Sequence, residues 1–81
     1  MTISENMAGE FRQFLKANAD GGSLFDLAFD FAMNYEAADT PKELATARLR
    51  FGDDSAEATE ETRECAYALL AAVGSPFKHD R

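Results

Sequence analysis

Three breaks in the apolar pattern decide most of what this chain can fold into. They fall at Asp20-Gly21-Gly22, at Asp39-Thr40-Pro41 and at Gly52-Asp53-Asp54-Ser55. Glycine closes a helix by taking the left-handed conformation, and a Ser, Thr or Asp side chain caps the free N–H groups of the next one. Between the breaks, apolar residues recur every three or four positions, the helical period.

The first segment opens on Thr2 and Glu5, which have capping-box spacing, and gathers Met7, Ala8, Phe11, Phe14 and Leu15 on one face. Ser23 starts the second segment. Placed around a helix, its Leu24, Phe25, Leu27, Ala28, Phe29, Phe31, Ala32 and Tyr35 cover an arc of about 200°. A helix apolar on more than half its circumference has neighbours on several sides. Thr40 and Glu43 form a second capping box, with Pro41 at the first helical position, where its missing N–H costs nothing. Leu44, Ala47 and Phe51 then make one apolar line, and Ala45 and Leu49 another. The fourth segment starts at Asp54 or Ser55 and lines up Ala58, Thr62, Cys65, Ala66, Leu69, Leu70 and Val73 before Gly74-Ser75-Pro76.

No run of alternating β-branched residues bounded by hairpin turns appears. The expected fold is therefore all-α: a compact, irregular bundle of four helices at about 4–19, 24–38, 41–51 and 55–73, forming one domain over 1–81. Residues 77–81 make a short tail, from which Phe77 is expected to fold back onto the core.

Size limits the core. Domains this small are marginal and need good helix packing or a partner. One Cys excludes an internal disulfide, and one Cys with one His excludes the usual zinc sites, so no metal or cofactor is expected. Apolar stretches fall short of the ~20 residues of a membrane span. The opening Met-Thr-Ile-Ser-Glu-Asn has neither the basic nor the apolar region of a secretory leader, which gives a cytoplasmic location as the expectation.

No catalytic set is legible. Cys65 lies on an apolar side with no spaced His to activate it, Asp26 and Asp30 have nothing to complete an acid–base pair, and His79 sits in the tail. A binding protein, and not an enzyme, is the expectation. A net charge of −7 argues against direct nucleic-acid binding, which needs clustered Lys and Arg.

The acids concentrate in one place. Asp53, Asp54, Glu57, Glu60, Glu61 and Glu64 stand against a single Arg63, leaving −5 of the whole −7. Around a helix, Glu57, Glu60, Glu61 and Glu64 fall within about 100°, away from Cys65 and Leu69. Four carboxylates over roughly 10 Å give about one charge per 2.6 Å of rise. Duplex DNA carries about one per 1.7 Å of axis, a density of the same order. Tyr67, at the patch edge, has the chemistry of an interface anchor. The expectation is a face that meets a basic, nucleic-acid-binding protein and inhibits or regulates it as a DNA mimic. The alternative for the same residues is a solvated face that confers solubility. By size and charge alone, small inhibitors of defence nucleases made by phages and mobile elements are one class this suits.

Two other features carry alternatives. Phe25 and Phe29 lie on one flank of the second helix, and Leu27 and Phe31 on the other. If one flank is uncovered, Phe25 and Phe29 become the contact of a homodimeric structural or accessory subunit. Arg48 projects into an apolar arc between Leu44 and Ala45, either snorkelling to an acid of a neighbouring helix or anchoring an interface.

Overall fold

The computed structural model describes residues 1–74 and has four helices: α1 Glu5–Ala17, α2 Leu24–Asn34, α3 Lys42–Phe51 and α4 Ala56–Ala72. Among the described residues there is no strand. The expected tail and the Phe77 contact lie outside these residues.

α4 is the hub, the only helix that contacts all three others; α1 also packs on α2. Its inward face carries small side chains, Ala58, Thr62, Cys65 and Ala66, with Leu69 one turn on, and all are buried. Small residues let the neighbouring helices approach closely. The buried Thr62 hydroxyl is satisfied by donating to the Ala58 carbonyl at 2.7 Å. Met7 and Phe11 from α1, Ala28 and Ala32 from α2, and Leu44 from α3 complete the core.

Both aromatic flanks of α2 find neighbours. Phe31 packs on Phe11 and Phe14 of α1, with ring centroids 5.3 and 5.4 Å apart. Phe25 meets Tyr67 of α4 at 5.0 Å. These separations suit tilted aromatic pairs. α3 differs from its expected pattern. Leu44 and Ala47 are buried, but Phe51 is half exposed and the Ala45–Leu49 line faces solvent, because the α3 backbone packs closely on α4 and on no other helix.

The helix ends correct the expected boundaries. Ser4, not Thr2, caps α1: its Oγ accepts from the Met7 N–H at 3.0 Å, which makes Glu5 the first helical residue. α1 stops at Ala17, where the Asn18 side chain donates to the Phe14 carbonyl at 2.8 Å. Thr40 does not cap α3. Its hydroxyl accepts from the Ala37 N–H and donates to the Ala37 carbonyl, closing the preceding turn, and Pro41 becomes the cap. Gly52 ends α3 at φ +97°, a conformation that a side chain resists. Ser55, rather than Asp54, caps α4 by accepting from the Ala58 N–H at 3.0 Å.

Ser55 also donates to the Gly52 carbonyl at 2.7 Å, so it joins the loop to the helix. Ser55→Ala is expected to cost about 1 kcal/mol and to lower the melting midpoint by about 5 °C in a circular-dichroism melt.

The largest difference is at the end of α2, expected to run to residue 38 and observed to stop at Asn34. Tyr35 is extended there, at ψ 124°. The Arg48 guanidinium of α3 donates to the carbonyls of Ala32 and Met33 at 2.7 Å and of Tyr35 at 2.9 Å. Ala32 also accepts from the Tyr35 N–H at 3.3 Å, while the Met33 and Tyr35 carbonyls lie past the last helical hydrogen bond, and the cation also suits the negative end of the helix dipole. Among the described residues, Arg48 thus pairs with no acid of a neighbouring helix and caps α2 instead.

Candidate partner-binding surface

α4 presents the carboxylates that its register predicts. Glu57, Glu60 and Glu64 are exposed, and Glu61, nearest the core side, is half-buried. Arg63 forms an ion pair with Glu60, the only ion pair among the described residues. Glu57 and Glu61 also border a shallow groove against α3, across from Lys42, Arg50 and Phe51.

Asp53 and Asp54 do not join this ridge. They precede the α4 cap and turn toward the end of α2, lining clefts with Glu36 and Arg48. The six acids that are contiguous in sequence therefore divide into a helical ridge and a separate loop pair.

Tyr67 lies one turn beyond Glu64 and two beyond Glu60 and is 57% exposed. Its ring is held against Phe25, and Phe25 in turn meets Phe29 at 6.1 Å. Phe25 and Phe29 are partly buried. The carboxylate ridge and the aromatic flank, which the sequence leaves as two unconnected features, meet at the Phe25–Tyr67 pair. The resulting surface crosses from α4 to α2 and offers charge along one edge and aromatic area at its end. It suits a partner that brings cations and an apolar contact together.

Asp39 organises a second polar cluster, which helical spacing does not reveal. It accepts from the Ser4 hydroxyl at 2.5 Å, from the Tyr35 hydroxyl at 2.7 Å and from Asn6 at 3.2 Å. The α2–α3 loop is thereby tied to the first turn of α1. The hydrogen bonds from Ser4 and then Tyr35 hold the Asp39 carboxyl down to about 2, against an ordinary 3.8. Burial, reinforced by the Asp39 charge, pushes the Tyr35 phenol up to about 12, so it stays a donor through neutral pH. The only early trace of this cluster is the polar residues of 34–40 beside an N-terminal Ser and Asn, which sequence alone does not bring together.

Asp39 is more acidic folded than unfolded, so its contribution is complete above about pH 4 and is lost as pH falls from 3.8 through about 2. Asp39→Asn is expected to flatten the fall in stability across that window, measured by urea unfolding at stepped pH. Parallel curves for the two proteins would show that other carboxylates carry the acid sensitivity.

Cys65 is buried, and burial raises its thiol to about 11 despite the opposing charge of Arg48, which makes it a poor nucleophile. Among the described residues, no three His, Cys, Asp or Glu side chains come together to hold a metal ion, and no helix is long and apolar enough to cross a membrane. Comparison with protein-family models, with curated proteins and with solved structures finds no match for this chain.

Proposed function

We propose that this chain is a small, non-enzymatic binding protein of the cytoplasm that inhibits or regulates a basic, nucleic-acid-binding protein. The observation that carries this reading is the joined surface on α4 and α2. Glu57, Glu60, Glu61 and Glu64 run along one face and end at the exposed Tyr67 seated on Phe25. A groove evolved for phosphates presents Lys and Arg at spacings that a row of carboxylates can meet. Occupying those cations excludes the nucleic acid, so binding and inhibition are one event. Tyr67 and Phe25 add apolar contact that phosphates lack, which favours a protein partner over non-specific charge pairing. An inhibitor of a defence nuclease carried by a phage or mobile element is the class this mode of action suits.

The test is a pull-down from cell lysate with the tagged chain, eluted in rising salt, followed by competition with a DNA duplex for the captured protein. A basic, nucleic-acid-binding partner released between about 0.1 and 0.5 M salt, and displaced by the duplex, is the expected result. A partner retained through high salt counts against an electrostatic interface. Recovery of the chain with itself alone favours the homodimer reading, whose expected contact is Phe25 and Phe29.

A further inference from the structure

α3 buries Leu44 and Ala47 and turns its opposite side outward, leaving Leu49 91% exposed. A single exposed leucine is ordinary. Leu49, however, borders a shallow, open depression of about 660 Å³ that Ala37, Ala45, Glu36 and Asp53 also line. A second cleft of about 450 Å³ shares Glu36, Arg48 and Asp53 with the first and continues to Asp54 and Met33. Met33 is itself 51% exposed. The two make a groove across the C-terminal end of α2, with an apolar side chain at each end and three carboxylates along it. None of the ridge residues Glu57, Glu60, Glu61 and Glu64 lines it.

Charge identifies the occupant. Arg48 is the one cation in the groove lining, and its guanidinium already donates to three backbone carbonyls. Among the described residues, Glu36, Asp53 and Asp54 make no ion pair. A second copy of this chain fits poorly. A two-fold interface sets the same patch against itself, so these carboxylates would face their own copies between two chains of charge −7. The complement is a segment that carries an apolar side chain flanked by cations.

We propose that this groove docks a basic amphipathic segment of the partner protein, with an apolar side chain against Leu49 and Lys or Arg side chains facing Glu36, Asp53 and Asp54. It rests on the basic partner proposed above and gives that partner a second contact, independent of the α4 ridge.

The experiment titrates a synthetic Leu/Lys peptide with its Leu residues on one helical stripe into the full ¹⁵N-labelled chain. A scrambled peptide of the same composition is the control. Amide shifts are expected to concentrate on Ala37, Ala45, Leu49 and Asp53, with the scramble binding more weakly. Leu49→Ser is expected to weaken the striped peptide roughly tenfold without loss of helicity, because Leu49 packs against little. Equal binding by the scramble, or no binding up to about 1 mM, overturns the proposal. So do shifts confined to Glu57–Tyr67 with Leu49→Ser unaffected, and that outcome leaves the α4 ridge standing alone. Groove shifts that survive reversal of Glu57, Glu60 and Glu64 support the groove and remove the ridge. A mass that doubles with concentration in the native chain but not in Leu49→Ser gives the groove to a second copy and overturns the proposal.

Discussion

Replacing Arg48 by methionine is expected to lower the unfolding midpoint by roughly 10–20 °C, a loss of about 2–3 kcal/mol for a domain of this size. Methionine keeps an apolar stem of similar length but has no donor. Three carbonyls at the end of α2, those of Ala32, Met33 and Tyr35, then lose the cation that serves them. Hydrogen bonds to a charged group contribute about 1.5–3 kcal/mol each when isolated. The sum here is smaller, because one guanidinium makes all three and water reaches the outer carbonyls. Arg48→Lys is the informative partner variant. An ammonium is a single point of charge and does not reproduce the planar fork that spans separate carbonyls, so it should recover less than half of the loss. Thermal melts of the three proteins decide the matter. Full recovery by lysine would mean that the charge at the helix end, and not the directed hydrogen bonds, is what α2 requires.

That contact also shows where a sequence stops being legible. The number of helices and their starts at Ser23 and Ser55 follow from local chemistry, because a capping side chain and the N–H it serves lie within three residues. The end of α2 does not. Tyr35-Glu36-Ala37-Ala38 offers no glycine or proline to stop a helix, and on local grounds the helix continues. It stops because Arg48, fourteen positions beyond Asn34, supplies the cap from another helix. Two facts available in the sequence pointed that way: α2 has no basic residue in its last turn, and Arg48 has no acid three or four residues away to pair with. The displaced cap of α1 has a similar cause. Ser4 wins over Thr2 while its hydroxyl also donates to Asp39, a partner 35 positions away that helical spacing does not reveal.

The candidate surface divides along the same line. Glu57, Glu60, Glu61 and Glu64 share a face because helical geometry alone puts them there. Asp53 and Asp54 neighbour them in sequence only: they precede the cap, and a loop residue obeys no helical register. The junction of Tyr67 with Phe25 is tertiary, and so is the outward turn of Leu49. An apolar residue at helical spacing indicates a face; which neighbour covers that face depends on how the helices pack. The α3 backbone packs closely on α4 alone, so one of its two apolar lines is left open.

Reversing Glu57, Glu60 and Glu64 to lysine together is expected to weaken the basic partner at least 100-fold while leaving the helices intact. The three changes move the net charge from −7 to −1 and place cations where the partner presents its own. Each reversal both removes an attraction and adds a repulsion, and at about 1 kcal/mol of change per site the three exceed the roughly 2.7 kcal/mol that a hundredfold loss requires. Folding should barely notice. All three side chains are exposed. Lysine at 57 loses a few tenths of a kcal/mol at the positive end of the α4 dipole. Lysine at 60 breaks the Arg63 pair, and both costs are offset in part by relief of repulsion among carboxylates three and four residues apart. Titration calorimetry at two salt concentrations, beside far-ultraviolet circular dichroism, separates binding from folding. Because exposed charges are screened, the gap between native and reversed chains should close as salt rises toward 0.5 M, to roughly what Tyr67 and Phe25 contribute. A gap that persists at high salt would locate the binding energy in packing. An affinity unchanged by the reversal at low salt would make the ridge solvated surface and nothing more.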